Sequence, residues 1–117
     1  MEDEMELTVW LIFDLGLKGD YEGLYYWLDS HKARECSNNT AVIKFPPSMS
    51  LNLLAFGLEN AIKNDISKSV KIGERDRIYM IYKQGEKIKG KFIIGKRKPA
   101  PWAGYAPLEA EDAVDEG

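Results

Sequence analysis

A largely apolar, β-prone run near the start of the chain leads to a carboxylate and then a glycine: Leu7-Thr8-Val9-Trp10-Leu11-Ile12-Phe13-Asp14-Leu15-Gly16. The run predicts a strand buried on both faces, with Asp14 at its exposed C-terminal end. Strand ends hold side chains rigidly at the solvent boundary, where open sheets place ligands and chemistry. Asp14 is therefore the first candidate for a functional residue. The alternative is that Asp14 begins a turn and bonds the nearby backbone.

Length and composition restrict the remaining choices. A chain of 117 residues forms one domain, and its hydrophobic fraction of 44% is ordinary for a globular protein. No apolar run approaches the length of about 18 residues that a membrane helix needs. Because the first residues are acidic, unlike a secretory signal, we expect a cytoplasmic protein. The single Cys36 and the single His31 offer no internal disulfide and no zinc cluster, and we expect Cys36 to be a small packing residue.

Charge is segregated along the sequence. Residues 1–6 carry four acids and residues 107–117 carry five, with no base in either segment. The stretch between them holds all 16 lysines and arginines against 10 acids, so its formal charge is +6 while that of the whole chain is −3. A basic body is typical of a protein that binds nucleic acid. The acidic tails either compete for the same basic surface or keep the protein soluble.

Periodicity predicts two helices. Asp20 is expected to cap a first helix over 21–31, and one face of this helix carries Tyr21, Leu24, Tyr25 and Leu28. A second helix is expected to begin at Ser48 or Ser50 and to continue to about Asn64. Its apolar stripe consists of Leu51, Leu54, Ala55, Leu58, Ala61 and Ile62.

The remaining segments predict strands and a fold class. A turn at Asn38-Asn39 leads into a strand over 40–45, and two further strands over 77–83 and 87–94 flank a turn. In the last strand, one face is expected to carry Ile88, Phe92 and Ile94. This order of elements favours an α+β, ferredoxin-like two-layer sandwich, an antiparallel sheet of four or five strands with two helices on one face. We expect this domain to span 7–98, between an acidic N-terminal tail (1–6) and an extended aromatic arm (99–106) that precedes an acidic disordered tail (107–117).

Basic residues in and after the last strand form a predicted nucleic-acid-binding strip: Lys87, Lys89, Lys91, Lys96, Arg97 and Lys98. Lysines that alternate on one strand face can contact a phosphate backbone, and each contact adds to a salt-sensitive affinity. The alternative is that these lysines protect an edge strand from aggregation. Tyr79, Tyr82 and Trp102 are candidates for base stacking, although aromatic side chains in strands also pack cores.

Metal chemistry at Asp14 needs a second source of ligands. Mg²⁺ is usually held by one or two carboxylates together with waters and phosphate oxygens. In a symmetric homodimer, two Asp14 side chains can converge on one ion across the twofold axis. We therefore predict that Asp14 is a catalytic and metal-binding residue for Mg²⁺ or Mn²⁺. Asp20, the other acid nearby in sequence, is expected to cap the first helix.

Several segments resemble those of a known family: residues 10–14, the helix with Leu24 and Leu28, residues 40–45 and residues 76–82. They are similar to the small CRISPR-associated ferredoxin-like endonucleases of spacer acquisition, and more closely to the uncharacterised SinR-like and VapD-like relatives of that family. The resemblance implies a homodimer, a metal bound by Asp14 across the dimer axis, and RNA or DNA as substrate. The first helix offers Tyr21, Glu22 and Tyr25 where the family has an arginine, and the family also includes non-catalytic scaffolds.

Two kinds of function follow from these observations. We expect a small homodimeric protein associated with nucleic acid and not with a membrane, either a metal-dependent endonuclease or an inactive scaffold relative. The alternative is a non-enzymatic regulator of the toxin–antitoxin or anti-defence type. Such a regulator would bind a protein partner, and its acidic tails would contact a basic surface.

Overall fold

The computed structural model describes residues 7–46, 57–84 and 86–107. Within these ranges the elements follow the order β1 (Leu7–Asp14), α1 (Tyr21–Ser30), β2 (Arg34–Ser37), β3 (Thr40–Phe45), α2 (Leu58–Ser69), β4 (Arg77–Gln84) and β5 (Lys87–Ile94). The predicted tail at 1–6, the predicted helix start at Ser48 or Ser50, and all of the predicted tail at 107–117 except Pro107 lie outside the described residues.

The described strands form one antiparallel sheet in the order β2-β3-β1-β4-β5, with β1 at its centre. Both helices contribute side chains to the same core as the sheet, with Leu24 from α1 and Ile62 from α2 among them. The α+β class and the antiparallel sheet are confirmed, and the arrangement is compatible with a two-layer sandwich. No helix within the described ranges is long and apolar enough to cross a membrane.

The central strand is buried on one face only, which corrects the expectation of a strand buried on both. Four alternate side chains of β1 are buried: Leu7, Val9, Leu11 and Phe13. Thr8, Trp10 and Ile12, which point the opposite way, are partly exposed. An antiparallel sheet needs to pack only one face, so apolar side chains at Trp10 and Ile12 do not require a second layer. We call the face that carries Trp10 the open face.

Helix α1 has its predicted cap but a different buried stripe. Asp20 Oδ1 accepts a hydrogen bond from the Gly23 backbone N–H at 2.9 Å, which confirms the cap. The buried residues are Leu24, Trp27 and Leu28, whereas Tyr25 is 53% exposed. The predicted stripe is therefore wrong at Tyr25. Trp27 is buried between the helices, and its indole N–H donates to Asp65 of α2 at 2.8 Å.

Helix α2 extends beyond its predicted end. Gly57 is its N-cap with a φ of 84°, a left-handed conformation that glycine adopts without steric cost. The helix then continues to Ser69 instead of ending near Asn64. Its buried residues, Leu58, Ile62 and Ile66, recur every four positions and so lie along one helical face.

A bulge between β4 and β5 changes the face of one predicted residue. The pairing register shifts between Ile78 and Tyr79, so that Ile94 lies opposite Ile78 while Phe92 lies opposite Tyr79. One extra residue reverses the alternation of side chains beyond it. Ile94 therefore enters the core, and the prediction that it shares a face with Ile88 and Phe92 is wrong.

The periphery of the fold also departs from expectation. Cys36 is exposed on β2, an edge strand on which every residue is exposed, so the prediction that it packs in the interior is wrong. The segment expected to be an extended aromatic arm contains turns. In these turns the Ala103 and Tyr105 amides donate to the carbonyls of Ala100 and Trp102, at 3.0 and 3.1 Å.

Candidate nucleic-acid interface

Asp14 lies at the exposed end of β1 and pairs with an arginine on the neighbouring strand. Asp14 and Arg77 are directly opposite each other in the β1–β4 register, and Arg77 Nη2 donates to Asp14 Oδ2 at 2.7 Å. The Asp14 side chain is 59% exposed and that of Arg77 is 24% exposed. The Asp14 carboxylate therefore forms a surface ion pair with a residue from a distant part of the sequence.

The side chains around Asp14 do not fit a divalent ion within one protomer. Arg77 places a positive charge 2.7 Å from Asp14 Oδ2, and this charge opposes a cation at the same oxygen. Among the described residues, no group of three or more His, Cys, Asp or Glu side chains could hold a metal. Asp20 accepts hydrogen bonds from the backbone N–H groups of Gly23 and Lys71, both at 2.9 Å. A metal shared by two Asp14 side chains of a homodimer stays a prediction of the sequence.

The structure divides the predicted basic strip into two groups, of which the first lies on β5. Lys89 and Lys91 are directly opposite Tyr82 and Met80, whose side chains are buried in the core. Residues opposite each other in an antiparallel pair share a face, so these lysines lie on the side of the sheet that carries the helices. Lys87, two residues before Lys89, follows the same alternation.

The lysines of this first group lie near an acid on α2. The Tyr82 hydroxyl donates to Glu59 Oε2 at 2.9 Å. A backbone hydrogen bond, the bond from Tyr82 and the charges of Lys91 and Lys89 together hold the pKa of Glu59 below its ordinary value. Burial, the bond to Glu59 and its negative charge raise the pKa of Tyr82. Lys89 and Lys91 thus lie on the side of the sheet where their charges act on Glu59, and β5 is an edge strand of the kind that lysines protect.

The second group, Lys96, Arg97 and Lys98, follows the end of β5 and is exposed. Gly95 turns the chain here with a φ of 76°, and a Cβ at this position would lie 2.5 Å from the Asp76 carbonyl oxygen. Only glycine permits this close approach without a shift of the backbone. Lys96 and Lys98 are thereby brought beside Arg75 and Arg77, around a surface depression of about 490 Å³.

A second depression, of about 430 Å³, adjoins the first through residues 74–76. It lies between the loop after β1 and the loop before β4, and Lys18 and Lys71 line it together with Arg75. Cations from separate parts of the sequence thus meet where β1 ends, β4 begins and β5 ends. We call this cluster the basic end: Lys18, Lys71, Arg75, Arg77, Lys96, Arg97 and Lys98.

The carboxylate beneath the basic end is already bonded. Asp76 is 3% exposed, and its two oxygens accept hydrogen bonds from the Gly16 and Gly73 backbone N–H groups, both at 2.7 Å. Glu74, by contrast, is exposed and lines both depressions. The seven cations of the basic end outnumber Asp14, Glu74 and the buried Asp76, so the surface that this end presents to solvent is predominantly cationic.

Sequence reasoning missed Arg75, Arg77, Lys18 and Lys71 as parts of one surface. Their separation along the chain carries no signal of proximity, which comes only from the pairing of β1 with β4 and of β4 with β5.

Comparison of the chain with protein-family models, with curated proteins and with solved structures gives no match. The resemblance to the CRISPR-associated endonucleases therefore stays a prediction, and the functional proposal depends on the residues of this chain alone.

Proposed function

We propose that this protein binds nucleic acid and that the basic end contacts the phosphate backbone. The observation that carries the proposal is the convergence of seven cationic side chains from three segments of the chain onto one end of the sheet. Lysine and arginine side chains neutralise phosphates and release condensed counterions, a source of affinity that is independent of base sequence. Arginine, which contributes three of the seven, also contacts phosphate with two parallel hydrogen bonds.

We also propose that the fold is ferredoxin-like, and the order of the elements supports this. Helix α1 joins β1 to β2 and helix α2 joins β3 to β4, which is the β-α-β-β-α-β arrangement of that fold. The strand order β2-β3-β1-β4 places β1 between β3 and β4, the two strands that α2 connects, and β5 extends the sheet beyond β4.

The chemistry of Asp14 favours binding without cleavage. Its carboxylate is paired with Arg77, whose positive charge opposes a divalent ion at the same oxygen. We therefore place this protein with the scaffold type of nucleic-acid-associated protein and not with the metal-dependent endonucleases. The expected homodimer is a separate prediction, which light scattering of the purified chain tests.

Two triple variants test the assignment of the basic end. Lys96→Gln/Arg97→Gln/Lys98→Gln and Lys87→Gln/Lys89→Gln/Lys91→Gln each remove three cations, but at opposite ends of the region predicted as one strip. Fluorescence anisotropy with labelled single-stranded and duplex oligonucleotides, between about 50 and 200 mM salt, measures the affinity and its salt slope. We expect the first variant to lower the slope by roughly 0.7 to 0.9 for each phosphate that it no longer neutralises, and the second to leave the slope unchanged.

Other outcomes of this experiment would contradict the proposal. Equal effects of both variants would mean that net charge and not location determines binding. Failure of the unmodified protein to bind any oligonucleotide would favour the protein-binding regulator. Cleavage of RNA or DNA in Mg²⁺ or Mn²⁺ that Asp14→Asn abolishes would establish the endonuclease and refute the scaffold assignment.

A further inference from the structure

The open face presents aromatic side chains on three adjacent strands. Trp10 lies on β1, Tyr79 on β4 and Phe92 on β5, and each is partly exposed. Tyr79 and Phe92 are directly opposite each other in the β4–β5 register, while Trp10 is diagonal to Tyr79, whose partner on β1 is Ile12. Strands lie about 4.8 Å apart, so these rings extend across about 10 Å of the sheet.

Tyr79 lies along the sheet because Gly90 leaves room for it. A Cβ at Gly90 would lie 2.6 Å from the Tyr79 hydroxyl oxygen and 3.0 Å from Cε2. The ring therefore extends sideways over the backbone of β5, where any other residue would displace it. The Phe92 ring meets it edge to face, with centroids 4.8 Å apart and planes at 77°. The two rings therefore form one contiguous aromatic surface.

Cations surround these rings. The guanidinium carbons of Arg97 and Arg77 lie 5.5 and 6.0 Å from the centroid of Phe92. Lys44 and Lys83 flank Thr8 toward the other end of the face, since both are directly opposite it. Arg34 lies opposite Val42 on β3, and so on the same face.

The charge of the open face selects its occupant. Asp14 is the acid that the described strands place on this face, and it is already paired with Arg77. A second copy of the chain packed face to face would bring like charges together, which is unfavourable. A nucleic acid is complementary to the same surface, because its phosphates match the cations and its bases can cover the aromatic rings. A polyanion without bases would leave those rings uncovered.

We infer that single-stranded nucleic acid lies across the open face, with bases stacked on Trp10 and on the Tyr79–Phe92 pair and with phosphates near Lys44, Lys83 and Arg97. This inference depends on the proposed function and specifies its substrate. In a duplex the base faces are covered by their neighbours, whereas unpaired bases can stack on aromatic side chains. The phosphate contacts then continue from the open face to the basic end through Arg77 and Arg97, which belong to both.

Paired tyrosine variants test the inference. Tyr79→Leu removes a ring from the open face, and Tyr25→Leu removes an exposed ring from α1 on the other layer as a matched control. We expect Tyr79→Leu to weaken single-strand binding about tenfold, because one base loses the ring on which it stacks. Duplex binding should change less than about twofold. Tyr25→Leu should change neither. Single-stranded RNA and DNA oligonucleotides of the same sequence are compared in each case.

A second variant keeps the tyrosine but moves it. Gly90→Ala adds a methyl group where the Tyr79 ring lies, and it should weaken single-strand binding without removing any charge or aromatic residue. If Tyr79→Leu and Gly90→Ala bind single strands as the unmodified protein does, the open face is not the site. If the variant of Lys96, Arg97 and Lys98 still lowers the salt slope in that case, the proposed function stands and only this inference fails. If Tyr79→Leu instead dissociates a homodimer seen by light scattering, a second copy occupies the face and the inference is refuted.

Discussion

At the scale of single residues, the aspartates of this protein differ in what they bond, and this difference determines what each can do. Asp76 is buried and accepts two backbone hydrogen bonds from separate loops, so it joins the loop after β1 to the loop before β4. Asp14 is exposed, and the hydrogen bond that it accepts from Arg77 joins two strands that are already paired. Asp76 therefore supports the shape of the basic end, while Asp14 modulates its charge.

Stability measurements distinguish these two roles. We expect Asp76→Ala to lower the free energy of unfolding by about 2 kcal/mol, because it deprives two partly buried N–H groups of charged acceptors. Asp14→Asn should lower it by less than about 1 kcal/mol, as is usual for an exposed ion pair. Urea denaturation followed by circular dichroism measures both. Similar values for the two variants would show that Asp76 does not hold the loops as described.

At the scale of elements, the two helices are tied to each other by polar contacts. Asp20 caps α1 and also accepts a hydrogen bond from the Lys71 N–H, just after α2. Asp65 of α2 accepts from the Trp27 indole and lies 3.4 Å from His31 Nε2. Because these bonds join segments distant in sequence, they fix the relative position of the helices as well as capping one of them.

The bonds to Asp20 make stability depend on pH. Hydrogen bonds from the Lys71 and Gly23 backbone hold the pKa of Asp20 below its ordinary value. A carboxyl with a lower pKa in the folded state contributes stability above its unfolded pKa and loses it as the pH falls through the folded value. We expect the free energy of unfolding of Asp20→Asn to decrease less than that of the unmodified protein as the pH falls below about 5. Urea denaturation over a series of pH values measures this. Glu59→Gln, measured in the same way, separates the contribution of Glu59, the other carboxyl whose pKa is lowered. An unchanged slope for Asp20→Asn would contradict the assignment.

Periodicity identifies which elements exist but not how they pair. The strands at 40–45 and 87–94 and the cap at Asp20 follow from local pattern, and the structure contains them. Trp10 and Ile12 are as apolar as their buried neighbours, so the sequence cannot reveal that β1 has a partly exposed face. The bulge that moves Ile94 into the core, like the pairing of Asp14 with Arg77, depends on register. Register is decided by the packing of the whole sheet.

At the scale of the whole molecule, charge is distributed unevenly between residues 7–106 and the two end segments of the sequence. The basic end and the open face are both cationic, whereas residues 107–117 carry five acids and no base. The described part of the chain continues from Lys98 through exposed turns to Pro107, so this acidic segment is attached only nine residues from the basic end. An acidic segment attached this close can compete with nucleic acid for the same cations.

Removal of residues 107–117 tests this competition. The truncation removes five acids and takes the formal net charge from −3 to +2. We expect tighter binding of single-stranded nucleic acid at about 50 mM salt and little change near 1 M, where the Debye length is only about 3 Å. A full-length variant with the same five acids changed to Gln or Asn separates charge from chain length, and it should behave as the truncated protein does. If the truncation tightens binding but the neutralised tail does not, the tail excludes nucleic acid by its bulk. If neither change affects binding, the acidic segment serves another purpose, such as keeping the protein soluble.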